Sequence, residues 1–137
     1  GIGAASTDLL SGQVQVMFGV VPSSLPYIKN GQMRALAVSS TKRLDVLPDV
    51  PAMAEFLPGY EANGWYGISA PKDTPPEIVA ALNKEINAGL TDAKTKARLA
   101  DLGCLVLPGP PADYAKFVAG ETEKWAKVIK TAGIKAQ

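Results

Sequence analysis

The feature that most restricts the fold of this chain is an alternation of helical and strand-like spacing across residues 4–40. Residues Ala4 to Gln13 suit a short helix ended by Ser11-Gly12. Val14, Val16 and Phe18 then alternate with Gln15 and Met17 as in a half-buried strand. Pro22-Ser23-Ser24-Leu25 opens a second helix that stops at Asn30-Gly31, and RALAVSS follows as a strand apolar enough to be covered on both faces. Helix, strand, helix, strand is the order that builds a parallel α/β sheet.

The rest of the chain changes character near Asn63. KRLDVLPDVP reads as a loop, because Pro48-Asp49 and Pro51 interrupt any long helix, although Ala52 to Phe56 suit a brief one. A strand is expected around Trp65 to Ala70. Thr74-Pro75-Pro76-Glu77 then predicts a capped helix start, with Ile78, Leu82, Ile86 and Leu90 as its buried face. A helix from Asp92 to Leu102 should end at Gly103, CLVLP gives a last short strand, and a 3.6-residue period from Pro111 to Ala132 predicts a long terminal helix closed by Gly133.

Composition limits the chemistry. The 137 residues suffice for one ordinary core but not for two lobes of ordinary size, and a net charge of +1 gives no footprint for nucleic acid. No apolar run approaches the roughly 20 residues of a membrane span. The absence of His removes the commonest general base and metal ligand, together with Ser-His and Cys-His nucleophiles, so no catalytic residue is assigned. The single Cys104 reads as an inert thiol in a buried strand. Asp45, Asp49, Asp73 and Glu77 have no spacing that pairs carboxylates or assembles a metal shell, and neither a metal nor a cofactor is expected.

The opening GIGAAS follows the first five positions of a dinucleotide fingerprint. However, Ser6 replaces its last glycine, no strand precedes it and no acid follows about 20 residues on. Two readings stay open here: free N–H groups of a first helical turn that would suit a carboxylate or phosphate, or glycines that merely shape a turn. Trp65-Tyr66-Gly67 and Gly59-Tyr60 read as core packing at a strand or as a stacking platform. Lys42-Arg43 reads as a solvated loop.

Five separated phrases carry a resemblance: TDLLSGQVQVMF, PSSLPYIKNGQMRALAVSSTKR, LPDVPAMAE, GYEANGWYGISAPKDTP and EKWAKVIKTAGIK. In this order they resemble the extracytoplasmic solute receptors of the tripartite tricarboxylate transporter system, the Bug family, and specifically the C-terminal half of one. The resemblance implies a partial type II periplasmic-binding-protein (Venus-flytrap) fold of α/β class, with a parallel-type sheet, flanking helices and a helical C-terminal tail. It places residues 1–62 in the back part of the second, ligand-cleft lobe and its crossover. Residues 63–137 would return to the first lobe.

By the same resemblance the ligand is a small carboxylate, held mainly by backbone amides and bridging waters. Gly1, Ile2, Gly3, Ala4, Ala5, Phe18 and Gly19 are the ligand-binding candidates. The family often has Pro where Ala4 stands, an acid where Gln15 stands, an Asp where Gly19 stands and a His where Tyr27 stands, which bears on ligand choice. The implied location is periplasmic, and the implied partners are subunits of a membrane transporter, with no nucleic acid. The loop at Gly1 is expected to lack the strand that presents it, and uncovered apolar faces are expected to cause self-association. The effector domain of a LysR-type transcription regulator is the alternative, since it shares this lobed fold and senses small acids.

Overall fold

Helix formation follows the local signals closely. The computed structural model describes residues 1–135, and five α-helices lie among them: α1 (Ile2–Leu10), α2 (Val21–Lys29), α3 (Pro76–Thr91), α4 (Ala93–Asp101) and α5 (Pro111–Ala132). Met53–Glu55 adds one 3₁₀ turn where a brief helix was expected. Helices α3 and α5 start with proline in the first turn, where its missing N–H costs nothing, and α5 closes on Gly133 in the left-handed conformation. The capping box expected at α3 does not form. Pro75 takes the cap position, and the Thr74 hydroxyl donates instead to the Pro71 carbonyl at 2.8 Å.

The segments read as strands at 14–18, 34–40, 65–70 and 104–107 form no ladder among the described residues. The pairing present is a parallel bridge between Val38 and Ala52 and an antiparallel one between Leu44 and Leu47. Alternation prepares a segment for pairing, but the hydrogen bonds of a strand come from a neighbour. RALAVSS is covered only in part: Val38 is buried while Leu36, two residues before it on the same face of an extended segment, is exposed.

The chain divides into two compact units. The first comprises Gly1–Tyr66 with Ala93–Val106, so α4 packs with the N-terminal half. Its core consists of Leu25, Val38, Leu47 and Ala52, flanked by Val21, Ile28, Leu44, Val46 and Val50. Helix α2 supplies one wall because Val21, Leu25 and Ile28 recur at helical spacing. The loop from 43 to 55 supplies the other and is braced by one side chain. Arg43 donates to both Glu55 carboxylate oxygens, at 2.8 and 2.9 Å, and to the Pro48 carbonyl, while Glu55 also accepts the Ala52 N–H at 2.8 Å.

These two donors, Arg43 first and then the Ala52 N–H, lower the Glu55 pKa from 4.5 to about 2. A carboxylate depressed on folding contributes stability above its unfolded pKa and loses it as pH falls through the folded one. The difference in melting temperature between the wild type and Glu55→Gln should therefore be full at pH 6, shrink below about pH 4.5 and close near pH 2. A difference independent of pH across that window would show that the ion pair is not its source.

The second unit comprises Gly67–Asp92 and the chain from Leu107 onward. Here Asn87 acts as a substitute for backbone pairing, accepting the Gly109 N–H at 3.0 Å and donating to the Gly109 carbonyl at 3.0 Å. Asn83 donates to the same carbonyl at 2.9 Å, which fixes the approach to α5 against α3. The Tyr114 ring lies directly over Gly67, in space that any side chain there would occupy. The face of α3 expected to be buried is in large part open, with Ile78 and Leu82 exposed and Ile86 and Leu90 half-buried.

Candidate functional site

The candidates at Gly1 to Ala5 form the first turn of α1, with Gly1 as its cap residue. No side chain caps this turn and no acid lies in it; Ala5 N–H donates to the Gly1 carbonyl at 3.2 Å. The preceding donors of the turn, at Ile2, Gly3 and Ala4, belong to the group that an α-helix cannot satisfy from within. Ser6 is buried and turns its hydroxyl back to the Ile2 carbonyl at 2.9 Å, so it is occupied inside the helix. A Cβ on Gly1 or Gly3 would meet nothing within 4 Å. The two glycines thus leave the turn open, and no packing within the chain requires them.

Phe18 and Gly19 lie between α1 and α2, and Phe18 is 91% exposed. Gly19 has a different reason to be glycine, since a Cβ there would stand 2.8 Å from Ser24 Oγ and 2.9 Å from Met17 Cε. Both candidate sets fall in the first unit, and no hydrogen bond joins them among the described residues. The open N–H groups of the α1 turn can donate to an anionic or polar oxygen, whereas the side-chain-free position at Gly19 is hemmed in by Ser24 Oγ and Met17 Cε. They offer no nucleophile and no general base.

Several other expectations change in the structure. Trp65 and Tyr66 are exposed, at 41% and 84%, so core packing does not account for them. Lys42-Arg43 is more than a solvated loop, because Arg43 is the brace described above. Cys104 is a free, half-buried thiol flanked by the exposed Leu105 rather than part of a buried strand. Among the described residues, no group of three or more His, Cys, Asp or Glu comes together, and no helix is long and apolar enough to cross a membrane. Sequence reasoning passed over Ser24, a buried polar residue of α2; its place at helical spacing among Val21, Leu25 and Ile28 was the available signal.

The model of the tripartite tricarboxylate transporter family receptor matches residues 1–134. The chain belongs to this receptor family. It is 36% identical over 136 residues to protein BugT of Bordetella pertussis, covering 98% of this chain and 42% of BugT. The solved structure of R. palustris Rpa4515 with adipate superposes with a TM-score of 0.90 at 36% identity, covering 97% of this chain and 45% of that one. MatC (Rpa3494) from Rhodopseudomonas palustris with bound malate gives a TM-score of 0.85 at 34% identity, covering 94% and 45%. The chain therefore spans less than half the length of these relatives.

With these neighbours the fold is a partial α/β periplasmic-binding fold, as the resemblance implied. The match is to the receptor family and gives no support to the LysR-type alternative. The family is one of substrate-binding receptors rather than enzymes.

Proposed function

We propose that this tripartite tricarboxylate receptor chain is part of a periplasmic protein that captures a small carboxylate and delivers it to a membrane transporter. The observation that carries the reading is the family match across residues 1–134, joined to close structural likeness to relatives solved with adipate and malate. Both of those ligands are dicarboxylates. The α1 turn supports the same chemistry: within Gly1, Ile2, Gly3, Ala4 and Ala5, the N–H groups of Ile2, Gly3 and Ala4 and the positive end of a helix dipole face a carboxylate, with Phe18 and Gly19 on the rim. On this reading residues 1–62 serve the ligand-cleft lobe and its crossover, residues 63–137 return to the first lobe, and no bond is made or broken.

The test is calorimetric titration of the polypeptide as the cell makes it with adipate, malate, succinate and citrate. Binding of at least one at about micromolar affinity is expected, a value corresponding to about 8 kcal/mol. No binding across the panel overturns the reading.

The 137-residue chain by itself is expected to self-associate. The support is its exposed apolar surface: Phe18, Tyr66, Leu105 and Leu107 are all more than three-quarters exposed, and Ile78, Leu82, Phe117 and Ile129 are open on α3 and α5. Surfaces of this kind bind other chains or one another. Light scattering should give a mass that rises with concentration; a constant monomer mass at high concentration would count against it.

A further inference from the structure

Ser24 stands on the first turns of α2, is 9% exposed, and its hydroxyl has no hydrogen-bond partner among the described residues. A buried hydroxyl in this condition weakens the fold, and a partner from outside the chain would remove the penalty. The hydroxyl is directed at residue 19, immediately ahead of the helix: the Cβ position of Gly19 lies 2.8 Å from it. Because residue 19 is glycine and exposed, nothing of its own fills that space. Beside it lies the terminal methyl of Met17, 2.9 Å from the same position, on a partly exposed, unbranched side chain with three rotatable bonds.

The surroundings favour negative charge. Ser23 and Ser24 N–H groups both donate to the Val20 carbonyl, whereas those of Gly19, Val20 and Val21 make no backbone bond among the described residues. They stand at the positive end of α2. No Asp or Glu occurs between Asp8 and Asp45, while Lys29, Arg34, Lys42 and Arg43 fall within that stretch.

We propose that Ser24 is a ligand-contact residue whose hydroxyl donates to a carboxylate oxygen bound at the N-terminus of α2. The Gly19, Val20 and Val21 N–H groups are companion donors, and the Met17 methyl is a movable cover. The inference rests on the carboxylate-receptor reading and adds to it a side-chain contact and a reason for glycine at position 19.

The polypeptide as the cell makes it is titrated calorimetrically with malate and with adipate, as wild type, Ser24→Ala and Gly19→Ala. Ser24→Ala should weaken binding about tenfold or more, the loss expected for one hydrogen bond to a charged group. Its melting temperature without ligand should be unchanged or higher, because the substitution removes an unsatisfied hydroxyl. Gly19→Ala should also weaken binding by filling the space in front of Ser24. Wild-type affinity in Ser24→Ala overturns the proposal and leaves the receptor reading standing. Failure of the wild type to bind either probe removes the dicarboxylate on which both rest.

Discussion

Replacing Leu25 with alanine should lower the unfolding free energy by about 3 kcal/mol, the middle of the range for Leu→Ala in a packed interior. Leu25 is 4% exposed and belongs to a cluster whose other buried apolar members among the described residues are Val38, Leu47 and Ala52. In a core this small, a cavity removes contacts from most of the other members at once. The first unit holds α1, α2 and α4, so loss of the cluster loosens the scaffold on which both candidate ligand positions stand. Denaturant titration checks the value, with Leu105→Ala as the control. Leu105 is 80% exposed, and its substitution should cost no more than about 0.5 kcal/mol. Equal effects of the two substitutions would show that the cluster is not the source of stability.

Gly103→Ala is the second large effect, for two separable reasons. Gly103 has φ +75°, a left-handed conformation that disfavours any residue with a Cβ by about 1 kcal/mol. A Cβ there would also stand 2.7 Å from Val21 Cγ1 and 3.1 Å from Val46 Cγ2, and forced overpacking typically costs about 1–3 kcal/mol. The total expected loss is about 2–4 kcal/mol. A double-mutant cycle with Val21→Ala separates the parts, because removing the Val21 methyls should reduce the cost of Gly103→Ala to about 1 kcal/mol. If the cost is the same in both backgrounds, the contact with Val21 contributes nothing.

The same glycine shows what could be read in advance. Its role as the stop signal of α4 was legible, since glycine after the last helical residue supplies the left-handed cap. That it also lets the end of α4 approach Val21 and Val46 was not, because those residues are far away in sequence and neither carries a mark of the contact. Thr74 gives the opposite lesson. Its position before Pro75-Pro76-Glu77 fits a capping box, yet the turn at Pro71 offers its hydroxyl a competing carbonyl.

At the candidate site, Gly1 to Ala5 could be placed on a helical turn from spacing alone, and the family followed from the ordered phrases around it. Ser24 carried one signal, its helical spacing with Val21, Leu25 and Ile28, but that spacing does not say what covers it. Whether a serine on a helix is solvated or buried depends on what lies over it, and here Ser24 Oγ lies against Gly19, 2.8 Å from where a Cβ would stand. Asn87 is similar: nothing in NKEINAGL shows that one of its amides will take both backbone groups of Gly109.

The helices, their stops and the family are legible in local order, because helical hydrogen bonds join residues four apart and family identity is carried by ordered local phrases. Three features emerge only in three dimensions: α4 packs with the N-terminal half, and among the described residues the strand-like segments form no ladder and the Ser24 hydroxyl is buried without a partner. Each of these depends on which distant residues come to lie alongside. Strand pairing and burial are relations between such residues, so neither is encoded at the position where its effect is seen.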